Sequence, residues 1–395
     1  MKIGLVTGEF PPIEGGVGAF TQELARALAE QAHEVHIITS REARPTDPDI
    51  KLSRTREPID LGFAQLHPWI GRWRWPSLQQ VVSVVLRHEL DVLNIQYQAA
   101  AYNMRSGAIN FLPWRIKGII PTVVTFHDLR VPYLFPKAGR LRETAVTSMA
   151  RNAKGIIVTN KADFDTITKR VSTPTVQIPI GSNIRAGTPN HIEIAAARED
   201  SGVGEDDILL GYFGFLNASK GADVLLRALA ELDGRFHLVF IGGQTGASDV
   251  TNTDYLAQMQ MLIAELGLTE RVYWTGFISD ARVAAYLHAA DMMVMPYQDG
   301  VSLRRGTLMA VLANGRPLIS TQPTTPTPEL QHTQSCWLIP ANDRDALVQA
   351  VLTLAGDPQL RSRLGQAAAQ LAGLFTWDKI AAQTAVFYQQ MLSEN

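Results

Sequence analysis

Short apolar runs alternate along the whole chain with stretches in which apolar residues recur at helical spacing. Most of the apolar runs are continuous, a pattern typical of strands buried on both faces of a parallel sheet. Alternating strand and helix candidates predict an α/β fold with doubly wound parallel sheets. The strand candidates are KIGLVT, HEVHIIT, DVLNIQ, TVVTFHD, GIIVTN and TVQIPIG in the first half, and DILLGYFGF, FHLVFIGG, RVYWTG, DMMVMP, RPLIST and CWLIPAN in the second.

The alternation is interrupted once, near the middle of the chain. The turn-rich stretch IPIGSNIRAGTPN is followed by a short helix candidate and a turn, after which strands and helices alternate again. We therefore expect two Rossmann-like domains, residues 1–185 and 207–375, joined by a linker over 186–206. Helical spacing near the end of the chain predicts a C-terminal helix over 376–395.

Composition narrows the class of protein. The chain of 395 residues carries 36 basic and 38 acidic side chains, and this balance gives no sign of a nucleic-acid-binding surface. The single cysteine, Cys336, excludes an internal disulfide framework and suits a reducing compartment. The first residues predict a strand rather than a signal peptide, and the chain lacks an apolar window long enough to predict a membrane span. We expect a cytoplasmic protein.

The segment HPWIGRWRWPS interleaves three tryptophans with two arginines. Such a cluster is compatible with a membrane interface. Because no long amphipathic helix surrounds it, we favour a loop whose aromatic rings pack on the domain while the arginines face water. Weak peripheral association with the inner face of the membrane stays an alternative.

The stretch GGVGAF follows the first strand candidate and precedes a helix candidate, Thr21 to Gln31. A strand, a glycine-rich turn and a helix form a typical phosphate-binding start. A dinucleotide fingerprint needs a third glycine, which is missing, and an acid after the second strand, where Ser40 and Arg41 stand. Since Arg41 suits a 2′-phosphate, NADP stays a candidate ligand. A turn that only lets helix and strand pack closely is the other alternative.

Two loops in the second half carry groups suited to an anion. Ser219 is a candidate N-cap that places Lys220 in the first helical turn, where a cation is favourable beside an anion. The loop in MPYQDGVSLRRGTLMA follows a strand candidate, and ligands of open α/β sheets bind at such carboxyl ends. Arginines there suit a diphosphate, and a carboxylate suits sugar hydroxyls. The candidates in this loop are Asp299, Ser302, Arg304, Arg305, Gly306 and Thr307.

Each candidate has a simpler interpretation. Lys220 is compatible with a solvated surface lysine, and the arginine loop with ion pairs alone. His127, which ends the strand candidate in TFHD, suits a ligand hydrogen bond or proton transfer, but buried structural histidines are common. Three D-x-D sequences, starting at Asp47, Asp163 and Asp343, look like chance matches. We expect no metal site, because no Cys/His cluster has zinc spacing.

Taken in order, these motifs resemble the family 4 retaining glycosyltransferases of the GT-B fold. The resemblance implies two facing Rossmann-like domains with the active site in the cleft between them. It also implies that the C-terminal domain holds a nucleotide-sugar donor, that the N-terminal domain holds the acceptor, and that the last helix returns to the first domain. The matching segments run over nearly the whole chain: GEFPP…GGVG, DVLNIQYQ, TFHD, IPIGSNI, GYFGFL…SKGADVLLRAL, VFIGG, VYWTGFI…YLHAADMMVMPY, ANGRPLIST and FTWDKIA.

The resemblance also implies roles for individual residues. Gly16 resembles the glycine whose backbone meets the donor diphosphate, with Gly18 in the same stretch. His127 resembles the histidine that contacts the donor sugar. Lys220 resembles the lysine of the family's K-G pair, which binds phosphate.

Two positions depart from the family pattern. Phe215 stands where the family often has an arginine, so one phosphate-binding cation is missing. The family often has two glutamates with seven residues between them, and Ser302 and Ala310 stand there instead. The second glutamate normally binds the nucleotide ribose. We infer that Asp299 replaces the first acid and that Arg304 or Arg305 replaces the missing cation.

The implied activity is transfer of a hexose from a UDP- or GDP-sugar to a hydroxyl of a saccharide or lipid-linked saccharide. The resemblance implies retention of the anomeric configuration, and we expect neither a metal nor a cofactor beyond the donor. Since the sequence offers no clear nucleophile, a front-face route, in which the leaving diphosphate takes the acceptor proton, is the working hypothesis. Three alternatives stay open: a GT-B nucleotide-sugar epimerase, an NADP-dependent oxidoreductase and a non-catalytic nucleotide-sugar-binding protein.

Overall fold

The computed structural model describes residues 1–13, 15–44, 57–102, 106–129, 140–182, 184, 187–243 and 251–393. The chain divides into two compact units, Met1–Gly181 with Trp377–Asn395, and Ser182–Thr376. The strands are β1 (Lys2–Thr7), β2 (Glu34–Ser40), β3 (Ile59–Asp60), β4 (Gln65–Ile70), β5 (Val92–Tyr97), β6 (Thr122–Phe126), β7 (Gly155–Val158), β8 (Thr175–Gln177), β9 (Ile208–Phe213), β10 (Phe236–Ile241), β11 (Val272–Trp274), β12 (Met292–Met295), β13 (Leu318–Thr321) and β14 (Trp337–Ile339).

Helices alternate with these strands, as the apolar periodicity predicts. The structure also contains short 3₁₀ helices at Arg41–Ala43, Ala108–Phe111, Ala218–Lys220 and Thr269–Arg271. The helices are α1 (Gly16–Glu30), α2 (Trp75–His88), α3 (Ala99–Tyr102), α4 (Leu112–Ile116), α5 (Arg140–Asn152), α6 (Lys161–Thr168), α7 (His191–Asp200), α8 (Ala222–Glu231), α9 (Thr251–Glu265), α10 (Asp280–Ala289), α11 (Gly306–Ala313), α12 (Arg344–Gly356), α13 (Pro358–Ala372) and α14 (Trp377–Ser393).

The first unit is built on a sheet with the strand order β3-β4-β2-β1-β5-β6-β7-β8. Neighbouring strands are parallel except β3 and β4. The side chains of β1, β5 and β6 are almost completely buried, because helices cover both faces of the sheet. This double burial explains why these strands appear in the sequence as continuous apolar runs.

The last helix, α14, packs in the first unit. The Asn94 side-chain amide on β5 donates to the Tyr388 hydroxyl over 2.5 Å, and both residues are buried. Gln31 donates to the backbone carbonyl of Asp378 over 2.9 Å. A Cβ on Gly155 would lie only 2.8 Å from the Phe387 ring, so a glycine is needed where β7 meets this helix.

The second unit contains a parallel sheet with the strand order β11-β10-β9-β12-β13-β14. Counted from β9, this is the doubly wound order 3-2-1-4-5-6. The strand order reverses between β9 and β12, and ligands of such sheets bind beyond the carboxyl ends of the strands at this switch point.

The predicted linker over 186–206 contains α7, which packs against α10 within the second unit. Arg198 on α7 donates over 3.0 Å both to the Asp291 carboxylate and to the Ala289 carbonyl. The Asp291 carboxylate also accepts from the Leu209 N–H at 2.9 Å. The segment from His191 therefore helps to hold the start of the second sheet.

The tryptophan-rich segment is only in part the loop that we expected: Arg72 and Arg74 are exposed, as predicted, but a strand and a helix take up its two ends. Its first part forms β4, which pairs with β2, and α2 begins at Trp75. Trp69 and Trp73 are buried, and the Trp73 indole donates to Ser40 Oγ over 2.9 Å. Trp75 is largely exposed. Among the described residues, no helix has the length and apolar character needed to cross a membrane.

Candidate active site

The loops that follow β9 and β12 pack directly on each other at the switch point of the second sheet. Gly221, after β9, adopts φ 69°, and a Cβ there would lie 2.1 Å from the Pro296 carbonyl oxygen. The Gln298 N–H donates to the Ser219 carbonyl over 2.8 Å. Residues from both loops are therefore held close to the same strand ends.

Lys220 precedes α8 and does not lie in its first turn. Ala218–Lys220 is a 3₁₀ turn, and the left-handed Gly221 turns the chain before the helix begins at Ala222. The prediction that Ser219 caps this helix is wrong, because its hydroxyl donates instead to the Asn217 side-chain oxygen over 2.8 Å.

The Lys220 ammonium lies in a confined, positively charged setting. It donates to the Phe215 carbonyl over 2.6 Å. Burial lowers the pKa of Lys220 to about 8, and the positive charge of Arg305 contributes to this shift. A Cβ on Gly214 would lie 3.3 Å from the Lys220 Nζ and 2.5 Å from the Thr307 methyl carbon. Lys220 and Thr307 therefore border the same glycine.

The Arg305 guanidinium lies over the Tyr297 ring, 4.0 Å from its centroid, and donates to the Asp299 carboxylate. Its side chain is only 15% exposed, whereas that of Asp299 is 46% exposed. The Arg305 Nε is buried and has no hydrogen-bond partner among the described residues. Arg305 and Asp299, which we expected to contact different parts of a ligand, are paired with each other in this structure.

Helix α11 begins at Gly306 with its backbone N–H groups open. Within the described part of the chain its N-cap, Arg305, makes no side-chain cap, and its first turn carries no acid. A helix N-terminus of this kind attracts anions. Thr307 lies in the same first turn, and its hydroxyl is 3.5 Å from the Tyr297 hydroxyl.

The remaining candidates of this loop are less constrained. The Arg304 side chain is exposed, so Arg305 is the better placed of the two arginines. The Ser302 side-chain oxygen accepts a long hydrogen bond, 3.5 Å, from the Arg304 N–H, and the Ser302 carbonyl accepts from the Arg305 N–H at 3.2 Å. Ala310, where the family often has its ribose-binding glutamate, is completely buried on α11. Neither Ser302 nor Ala310 supplies a carboxylate.

In the first unit, the N-terminus of α1 is occupied by an acid that the sequence reasoning missed. The helix begins at Gly16, five residues before the predicted start, and Glu9 accepts from the Val17 and Gly18 N–H groups at 3.0 and 3.3 Å. Burial raises the pKa of Glu9, partly offset by these hydrogen bonds. An acid in the loop before a glycine-rich helix start is the signal that could have identified it.

The two glycines of this turn have different surroundings. A Cβ on Gly18 would lie 3.1 Å from the Glu9 carbonyl oxygen and from the Phe10 Cα, so Gly18 allows the loop to approach the helix. A Cβ on Gly16 would meet no described atom within 4 Å. Gly16 therefore offers open backbone surface, and Gly18 has a packing role.

His127 follows β6 and is fixed by the neighbouring strand. Its backbone N–H donates to the Tyr97 carbonyl over 3.0 Å, and its ring Nε2 lies 3.0 Å from Gln96 Oε1. Because the Gln96 oxygen is an acceptor, Nε2 carries the proton and Nδ1 is left as an acceptor. Burial lowers the pKa of His127 to about 3, so the ring is neutral at pH 7. It suits a hydrogen bond to a ligand better than general-acid catalysis.

The acids of the D-x-D sequences at 163 and 343 serve helix termini. Asp343 Oδ1 accepts from the Ala346 N–H at 2.8 Å and caps α12. The Asp163 N–H is capped by Asn160 at the start of α6, and Asp165 pairs with Lys161 one turn away. The third D-x-D sequence, which starts at Asp47, lies outside the described residues.

The predicted site residues thus fall into two groups, one on each unit. The loop residues of the second unit share the carboxyl ends of β9 and β12, while the others lie near the carboxyl ends of β1 and β6. The first group is Lys220, Asp299, Ser302, Arg304, Arg305, Gly306 and Thr307, and the second is Gly16, Gly18 and His127.

Fold and site together define a class: a protein of two Rossmann-like units with a lysine and an arginine held close together at the switch point of the second sheet. The family "Glycosyl transferases group 1" matches residues 193–371, and "Glycosyl transferase 4-like domain" matches residues 15–181. The chain belongs to this glycosyltransferase family, and its fold is GT-B. The family and fold predicted from the sequence are confirmed.

The relatives agree with this assignment. A D-inositol 3-phosphate glycosyltransferase from Thermobispora bispora is 25% identical over 96% of this chain and 90% of its own length. One from Streptomyces avermitilis is 29% identical, but the alignment covers 49% of this chain and 42% of that protein.

Solved structures show the same fold at low identity. Sucrose-phosphate synthase from Thermosynechococcus elongatus has a TM-score of 0.78 at 20% identity, with complete coverage of both chains. HepE of Anabaena, in complex with UDP, has a TM-score of 0.73 at 18% identity, covering 99% of this chain and 100% of that one.

Proposed function

We propose that the protein transfers a hexose from a nucleoside-diphosphate sugar to an acceptor hydroxyl with retention of the anomeric configuration. The observation that carries this proposal is the meeting of Lys220, Arg305 and the open N-terminus of α11 at the switch point of the second sheet. The positive charge of Arg305 contributes to the lowered pKa of Lys220, and two neighbouring cations are held together most favourably when an anion lies between them. A diphosphate has the charge and the oxygen atoms to satisfy all three groups.

A UDP-sugar is the first donor to test, because HepE is described in complex with UDP. For the acceptor we propose a saccharide or lipid-linked saccharide hydroxyl. The names of the relatives make D-inositol 3-phosphate a further acceptor to assay. We propose that the second unit binds the donor and that the first unit contributes Gly16, His127 and the acceptor-binding surface.

In the proposed reaction the bond between the sugar C1 and the diphosphate oxygen breaks, while the acceptor oxygen bonds to C1 on the same face. The acceptor proton passes to the leaving diphosphate, so no protein nucleophile is required. Lys220, Arg305 and the α11 N–H groups stabilise the growing negative charge, and we propose that they do so without a metal. Neutral His127 holds a sugar hydroxyl through Nδ1, and Asp299 accepts from another.

The first experiment compares thermal stabilisation by UDP-, GDP- and ADP-sugars and by NADP. A ligand present at about 100 times its dissociation constant adds about 2.7 kcal/mol to the free energy of unfolding. Stabilisation by NADP alone would contradict the proposal and support an oxidoreductase. An epimerised or free nucleotide product formed without acceptor would support an epimerase instead.

The second experiment measures transfer with the stabilising donor and a panel of acceptors. Lys220→Ala should lower the rate by about 10²–10³-fold if the ammonium acts mainly in the transition state. Arg227→Ala, an exposed cation on the adjoining helix α8, is the matched control and should have wild-type turnover. Donor binding without turnover on any acceptor would favour a nucleotide-sugar-binding protein.

A further inference from the structure

Three histidines far apart in the sequence meet at the edge of the first sheet. His36 lies near the start of β2, His67 near the start of β4, and His88 ends α2. His36 and His67 are buried, and His88 is partly exposed. One ring nitrogen from each of the three lies within 4.8 Å of those of the other two. The sequence predicted no metal site here, because the three histidines are far apart in the sequence and do not form a short metal-binding motif.

The ring geometry is close to that of a metal site. His36 Nδ1 and His67 Nε2 face each other at 3.0 Å. Two imidazole nitrogens on a tetrahedral zinc ion, each about 2.0–2.1 Å from the metal, lie about 3.3 Å apart. Only His88 has to move appreciably, and it is the member at a helix end with a partly exposed ring.

An acid orients the first ligand from outside the cluster. His36 Nε2 lies 2.9 Å from Glu34 Oε1, so the ring donates through Nε2 and presents its Nδ1 lone pair to His67. Metal-binding histidines commonly donate their second N–H to a carboxylate in this way. His67 then needs only to carry its proton on Nδ1 to present a second lone pair.

The cluster also has space beside it for a fourth ligand. His67 and His88 line a cavity of about 50 Å³, which has room for a water molecule as fourth ligand.

We propose that His36, His67 and His88 form a binding site for one divalent transition-metal ion of the zinc class, which joins β2, β4 and the end of α2. Imidazole ligands favour zinc and its neighbours over magnesium or calcium. His36 and His67 lie near the amino ends of β2 and β4, and His88 lies at the end of α2, whereas substrate sites of such sheets lie at the carboxyl ends of the strands. The ion therefore has a structural role, independent of the proposed glycosyl transfer.

The test uses the full-length protein without a histidine tag, freed of metal by a chelator and dialysed. Zn²⁺ is titrated against a chromophoric chelator, and we expect one equivalent to bind. His88→Ala should weaken binding by about 100-fold or more, and Glu34→Gln by about 10-fold to 100-fold, the range for outer-shell partners. Co²⁺ should give the visible absorption bands of a tetrahedral site.

The control is His191→Ala, an exposed histidine in the second unit, which should bind Zn²⁺ like the wild type. Circular dichroism confirms that each variant is folded, and His88→Ala is the safest change because this ring is partly exposed. Failure of the wild type to bind Zn²⁺ at concentrations up to about 100 μM would overturn the proposal. Undiminished binding by folded His88→Ala and Glu34→Gln would overturn it as well.

Discussion

The lowered pKa of Lys220 predicts that donor affinity falls in mild alkali. With a pKa of about 8, caused mainly by burial and secondarily by Arg305, the ammonium is charged at pH 7 and neutral at pH 9. If only the charged form binds the diphosphate, the charged fraction falls about tenfold between these pH values, which corresponds to about 1.4 kcal/mol of binding free energy. An ordinary exposed lysine would stay charged over the whole range.

The measurement is the dissociation constant of UDP-glucose, by calorimetry, between pH 7 and 9. We expect about tenfold weaker binding at pH 9, together with proton uptake near pH 8 that is revealed by buffers of different ionisation enthalpy. Lys220→Arg is the matched control, because a guanidinium keeps its charge and should remove the pH dependence. Ionisation of the nucleotide base affects wild type and variant equally.

Two results would refute the reasoning. A donor affinity that does not change between pH 7 and 9 would mean that Lys220 is not near the bound diphosphate, or that its pKa lies outside this range. The same pH dependence in Lys220→Arg as in the wild type would assign the titration to another group. Either result would rule out the titration of Lys220 as the cause of a pH-dependent donor affinity.

Three further predictions concern the first unit. Gly16→Val should impair transfer more than nucleotide binding, and the variant should fold because a Cβ at this position would meet no described atom within 4 Å; loss of nucleotide binding by the folded variant would contradict this. Gly8→Ala should lower the free energy of unfolding by about 1–3 kcal/mol in denaturant titrations, because its Cβ would lie 2.1 Å from the Ala101 carbonyl oxygen. Burial lowers the pKa of His67 in the folded protein to about 3, below the ordinary 6.5. The free energy of unfolding of the metal-free protein should therefore decrease as the pH falls below 6.5, by about 2 kcal/mol at pH 5. His67→Asn should show a smaller loss.

The family was predictable because its motifs lie at the ends of buried strands. Helices cover both faces of the central strands, so these strands appear as apolar runs, and the loops between them keep the order of a known family. The strand β4 was missed because it carries Gln65, His67 and Pro68 and pairs on its outer side only with the two-residue β3. A proline and polar residues weaken the strand pattern in a way that only pairing with β2 overrides.

Predictions about the candidate site were less complete. Lys220, Arg305 and Thr307 could be proposed from the sequence because they lie in the loops, and at the helix start, that follow predicted strands, and their roles stay predictions. The capping role assigned to Ser219 was wrong, because the left-handed Gly221 decides where α8 begins. The ion pair of Arg305 with Asp299 depends on how one loop folds back on itself, and the sequence left open which acid would pair with which arginine.

By itself, the sequence determined the alternation of strands and helices, the two-domain organisation and the family, because burial on both faces leaves a pattern that can be recognised residue by residue. The tertiary structure alone decided which strands are neighbours. It placed Glu9 on the amino end of α1 and brought His36, His67 and His88 together. The physical reason is that side-chain periodicity records which face of an element is buried, but not which distant element lies against it.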